Sequence, residues 1–175
     1  MRRSIFTTVL ILIVVLIGCK RVEWREYWAE EYGFRISMPA YEQNERPNLP
    51  LEGRFDHLYE MSLLWAIKDG KDYYDVWAGK AYYEADSTLA ASLFLGIHAN
   101  PLLGFVKSPK ERIVSNNPAT IEFEVLRKIL GKCRIETTRI IAKDSLFYIL
   151  RFEAPGRTAP KKKLSRFFDS FELLE

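Results

Sequence analysis

The chain is short of the residues on which most catalytic and metal chemistry rests. Only 2 of its 175 residues are histidine and 2 are cysteine. His57 and His98 lie far apart, with no second ligand at the short spacing that a zinc site uses, so no metal is expected. His98 stands just before Asn100-Pro101 and reads as a contact at a helix C-terminus. His57, between Asp56 and Leu58, reads as ordinary strand surface. A Gly-x-Ser-x-Gly elbow is missing, as are glycine-rich phosphate loops. Asp72, Asp75 and Asp86 lack the spacing of a calcium loop. There is no internal repeat and no low-complexity segment. These absences argue against an enzyme and against a cofactor. A hydrolase would need His57 or His98 joined to an acid and a nucleophile, an arrangement that nothing in the spacing supports. Charge of one sign is also scarce, with 26 basic against 23 acidic residues. Nothing resembles a nucleic-acid footprint, and no nucleic-acid partner is expected.

What is present begins at the N-terminus. Arg2 and Arg3 precede an apolar run from Ile5 to Ile17, and Leu16-Ile17-Gly18-Cys19 closes it. Charge, apolar core and small-residue cleavage site, in that order, form a secretory signal. As a helix the run spans roughly 20 Å, short of a hydrocarbon core of about 30 Å, which disfavours an uncleaved transmembrane anchor. With cysteine after the cleavage point, the segment resembles the lipobox of bacterial lipoproteins. That resemblance implies a diacylglyceryl group on the Cys19 thiol, cleavage between Gly18 and Cys19, and acylation of the freed amine. It also implies attachment to a membrane with the domain outside the cytoplasm. Lys20 is not acidic, and by analogy with enterobacteria-like sorting this favours the outer membrane in a cell that has one, with the domain facing the periplasm. Losing Arg2 and Arg3 with the leader lowers the formal net charge from +3 to +1. With Cys19 lipidated, Cys133 has no partner for an intramolecular disulfide; it alternates with Ile135 and reads as a small buried hydrophobe.

Residues 1–18 are thus expected to be a signal peptide, 19–31 the lipidated cysteine and tether, and 32–175 a single domain. Within the tether, Trp24 and Trp28 at i, i+4 are placed to dock a short helix. Tyr32 to Pro39 alternates, with Phe34, Ile36 and Met38 on one face, and predicts a strand. Residues 40–53 carry loop chemistry. Strands are predicted near 55–67 and 72–83, joined by Lys68-Asp69-Gly70-Lys71 in a type I′ turn. Asp86-Ser87-Thr88 is an N-cap for a helix carrying Leu89, Leu93, Phe94 and Ile97. Beyond it, Lys110 to Ser115 approaches a turn at Asn116-Asn117-Pro118, and strands follow through 121–125, 133–142 and Leu146 to Glu153. The last of these is apolar on both faces and belongs at a sheet centre. Lys161 to Asp169 suits a helix with Leu164, Phe167 and Phe168 inward, Lys161-Lys162-Lys163 forming its solvated start in preference to a lipid-headgroup contact, and Ser170 to Leu174 suits a short edge strand.

Gly33-Phe34-x-Ile36-x-Met38-Pro39, the tyrosine-rich hairpin, Asn116-Asn117-Pro118-Ala119, Phe147-Tyr148-Ile149-Leu150 and Arg166-Phe167-Phe168-Asp169-Ser170-Phe171-Glu172 follow one another in an order that resembles the PsbP-like group. That resemblance implies an α+β fold: an antiparallel sheet of about six to seven strands flanked by helices, an α/β/α sandwich. The group brings no shared catalytic residues. Aromatics are the one compositional excess, at 14%. Tyr73, Trp77 and Tyr83 share one strand parity and Tyr74 and Tyr82 the other. This describes either a large aromatic core or a surface at which Tyr73, Trp77 and Tyr83 meet a protein partner or a glycan. The expected function is that of a lipid-anchored, non-enzymatic accessory or protein-interaction domain at the cell envelope. The alternative is a module binding a small ligand or envelope polymer in an aromatic-lined pocket.

Overall fold

The computed structural model describes residues 23–40, 59–82 and 109–174. In chain order these form β1 (Trp24–Ala29), a 3-10 turn (Glu30–Tyr32), β2 (Phe34–Pro39), β3 (Tyr59–Asp69) and β4 (Asp72–Ala81). They continue with β5 (Lys110–Asn116), β6 (Ala119–Ile129), β7 (Lys132–Lys143), β8 (Leu146–Pro155), helix α1 (Lys161–Phe168) and β9 (Glu172–Leu173). Strands β3-β4-β8-β7-β6-β5 make one six-stranded antiparallel sheet, and β1-β2-β9 a separate three-stranded one.

The expected α/β/α sandwich is therefore not the architecture. The described chain is mostly strand, in two antiparallel sheets, with α1 the one α-helix among the described residues. The difference lies in what covers the large sheet. One face meets the small sheet, through Phe34, Ile36 and Met38 of β2, each fully buried against Tyr74, Val76, Leu150 and Phe152. Fully burying a side chain of this size contributes about 1.5–3 kcal/mol, so this strand layer takes the place of an expected helical one. It exists because Trp24–Ala29, expected to belong to the charged tether with its i, i+4 tryptophans docking a short helix, is a strand. Its alternation places Tyr27 and Ala29 opposite Ile36 and Phe34. The helix expected around Leu89 to Ile97 lies outside the described residues.

Other elements form where the pattern predicts them. β8 sits third of six, with Phe147, Tyr148, Ile149, Leu150 and Phe152 all buried. Because its two faces serve two cores, Tyr148, Leu150 and Phe152 join the small sheet and α1 while Phe147 and Ile149 join Met61, Ile121, Phe123 and Ile140 on the opposite face. The β3–β4 turn is tighter than expected: Asp69 still pairs with Asp72, so Gly70 and Lys71 are the loop, and only the glycine (φ 62°) is left-handed. The type I′ signature of two positive φ values falls instead on Leu130 (49°) and Gly131 (79°), between β6 and β7.

Helix α1 is fastened at both ends. Lys163, expected to be solvated, donates to Asp69 (3.1 Å) and Asp72 (2.6 Å) on the β3–β4 hairpin, while Lys161 and Lys162 stay exposed. At the other end Arg139 donates to the Phe168 carbonyl (3.0 Å) and to Glu122 (Nε, 2.8 Å), satisfying a terminal helix acceptor.

Candidate ligand-binding cleft

A cleft of about 350 Å³ opens where the end of β1 and the 3-10 turn approach edge strand β3, lined by Trp28, Ala29, Glu30, Glu31, Leu64 and Trp65. Its two walls have separate local causes. On one side the chain must reverse after Tyr32, and Gly33 does so at φ 63°, donating its N–H to the Glu30 carbonyl at 3.1 Å. That reversal presents the adjacent Glu30 and Glu31 side chains outward, both exposed. On the other side β3 carries an irregularity between Leu63 and Trp65, so that Leu64 and Trp65 both turn toward the small sheet.

The tryptophans are held differently. Trp65 is half-buried, with Tyr27 at 5.5 Å and Phe34 at 5.9 Å between ring centroids. Trp28 is 46% exposed and lies beneath the Arg35 guanidinium at 5.3 Å. Arg35 is in turn held by Glu172 (2.6 Å) and Glu26 (3.5 Å), and its hydrogen bond to Glu172 raises its pKa above the ordinary arginine value. Glu30 and Glu31 have no ion-pair partner among the described residues. Aromatic faces beside free carboxylates suit a cationic group, through cation–π contact and charge pairing, or a hydroxyl-rich one.

The aromatics singled out in the sequence lie elsewhere. Tyr73 and Trp77 do share the face of the large sheet turned away from the small one, but Asp75 stands between them. Trp77 is half-buried against the second core, and Tyr73 is held between Lys68 (5.5 Å) and Arg134 (5.1 Å). The space between is a lattice of charge: Asp75 with Arg151 (Nε, 2.7 Å), Glu136 with Arg127 (2.9 Å) and Glu153 with Arg134. Burial pushes the Asp75 carboxyl above the ordinary carboxylate range, against the pull of Arg151. Such buried pairs fix strand register more than they bind. Tyr73 and Trp77 thus form no continuous aromatic patch. Tyr83, Gly18, Cys19, His57 and His98 lie outside the described residues. Cys133, expected to be buried, is a free and half-buried thiol. Among the described residues no group of histidine, cysteine and carboxylate side chains could hold a metal ion, and no helix is long and apolar enough to cross a membrane.

Sequence reasoning missed the cleft because no spacing rule joins Trp28 to Trp65. The usable signal was local, the Glu30-Glu31-Tyr32-Gly33 reversal directly after an alternating segment.

No protein-family model matches the chain, and no curated protein matches it. Solved structures do match, 18 chains in all. One is the Ran-binding protein Mog1p of Saccharomyces cerevisiae, at a TM-score of 0.50 and 10% identity, covering 88% of this chain and 97% of that one. At that identity the likeness is one of fold.

Proposed function

We propose that the chain is a lipid-anchored envelope protein whose domain is a non-enzymatic accessory module, engaging a cationic segment of a protein partner in the Trp28–Trp65 cleft. The lipobox-like Leu16-Ile17-Gly18-Cys19 supports the anchor. The single observation that carries the binding role is the pairing of exposed Trp28 and half-buried Trp65 with two carboxylates, Glu30 and Glu31, that have no ion-pair partner among the described residues, in one concavity. A second reading, an envelope glycan as ligand, is favoured by the same tryptophan faces, on which sugar rings stack while carboxylates accept from hydroxyls.

Two measurements test this. Metabolic labelling with a palmitate analogue is expected to mark the wild-type chain and not Cys19→Ala; equal labelling of both, or of neither, removes the anchor. A photo-crosslinking residue in place of Trp28, on the chain in its own membrane, is expected to give a discrete adduct absent when the crosslinker replaces exposed Glu111. Loss of that adduct on protease treatment identifies a protein partner, and survival identifies a polymer. No adduct above the Glu111 control overturns the binding role.

A further inference from the structure

One end of the large sheet collects an excess of positive charge around an apolar tip. The β3–β4 turn, the β6–β7 turn, the loop after β8 and the start of α1 all lie there. Their contacts tie them together: Arg134 donates to the Lys71 carbonyl (2.9 Å), Gly156 to the Cys133 carbonyl (2.9 Å), and Lys163 to Asp69 and Asp72. The acids of this end are met in part: Asp69 and Asp72 share the one charge of Lys163, leaving a single negative charge over, and Glu153 is paired with Arg134. The remaining cations are exposed and make no ion pair among the described residues: Lys68 and Lys71 at one tip, Lys128 and Lys132 flanking the other. Arg157, Lys161 and Lys162 extend the same surface across the loop and helix start.

Between Lys128 and Lys132 stand Ile129, 37% exposed, and Leu130, 96% exposed. Leu130 also occupies a left-handed position, φ 49°, where a type I′ turn ordinarily takes asparagine or aspartate. An apolar side chain that is fully solvated and set in a conformation unfavourable to it gains nothing within this fold. It gains once it meets an apolar phase.

We infer that this end docks on the anionic surface of a membrane, Leu130 and Ile129 entering the interface and the lysines meeting lipid phosphates. Basic side chains around an apolar anchor are the two components of reversible interfacial binding, each lysine or arginine strengthening it several-fold. The course of the chain agrees. β1 starts near this end: Trp24 packs edge-on against Tyr74 (5.7 Å), two residues beyond Asp72, and lies under Arg166 (4.4 Å). From there β1 runs away toward Phe34. Cys19 precedes Glu23 by four residues, a reach of at most about 15 Å, so an anchor at Cys19 holds the basic end toward the bilayer. Only this last point rests on the anchor proposed above; the charge and shape of the tip stand without it.

The test uses the full chain with a polarity-sensitive fluorophore on Leu130→Cys in a Cys19→Ser, Cys133→Ser background, so that the label sits at position 130 alone. Vesicles are phosphatidylcholine alone, or phosphatidylcholine with about one-third phosphatidylglycerol. The expected result is a blue-shifted, brighter emission on the anionic vesicles only, reduced about tenfold or more in extent by Lys128→Glu with Lys132→Glu. Aqueous emission on both vesicles, indifference to charge reversal, or an equal shift with soluble polyphosphate overturns the inference. Palmitate labelling of the wild-type chain reports the anchor separately, so the two ideas fail independently.

Discussion

Tyr148 shows how a single side chain on the central strand joins the two sheets. Its ring lies 5.2 Å from Phe34 and from Phe171, and its hydroxyl donates to the Tyr32 carbonyl at 2.8 Å, reaching from β8 to the 3-10 turn. Burial, with a smaller contribution from the Asp144 charge, pushes its pKa up to about 12. In the unfolded chain a tyrosine ionises near 10. Because the folded value is the higher, the stability it contributes is complete below about pH 10 and is lost as pH rises toward 12. Tyr148→Phe should therefore cost about 1 kcal/mol at neutral pH and flatten the alkaline limb of a stability–pH profile, read by denaturant titration. An unchanged alkaline limb would show that the hydroxyl is not held as described. Such linkages could not be seen in the sequence, where Tyr148 was legible only as part of a doubly apolar strand.

Among the elements, the hairpins were the most legible and the edges the least. Strands β2, β4, β6, β7 and β8 announce themselves through alternation or a doubly apolar run, and α1 through Leu164, Phe167 and Phe168, because period and burial coincide there. β1 did not, since its outward face carries Glu26 and Trp28 and its inward pattern was masked by a helical spacing of tryptophans. The cleft was hidden for the same reason, one of its walls being the end of that strand. The close pairing of β3 with β4 sets another element-level constraint. At Gly79, an added Cβ would collide with the Glu60 carbonyl oxygen and the Phe147 ring. Gly79→Ala is expected to destabilise the fold by about 1–3 kcal/mol, measured as a lowered denaturant midpoint with an unchanged slope. A neutral outcome would mean that β3 and β4 do not approach as closely as the fold requires.

For the whole molecule, one sheet shared by two cores implies a gradient of stability. β8 and β7 are paired on both sides and buried on both faces, whereas β5 lies at an edge with Ile113 and Val114 exposed. Hydrogen exchange should be slowest in the amides of β8 and β7 and should release β5 early; equal protection of β5 and β8 would contradict the strand order. The turns predicted the β3–β4 hairpin and the later run of strands, but neither the pairing of β4 with β8 that joins them nor the second sheet, because β9 is only Glu172–Leu173 and pairs with a strand near the other end of the chain. That pairing has a mechanical consequence. Under the anchor proposed at Cys19, drag on the domain would pass through β1, along the axis of a strand whose six residues, Trp24 to Ala29, all pair with β2. Tension applied in that direction loads the whole ladder in shear, so its cross-strand bonds must give way together, where a peeling pull would open them one at a time. β2 is backed in turn by β9, and Leu174 donates to the Gly33 carbonyl at 2.8 Å. Under that proposal the small sheet would be the splice between leash and load.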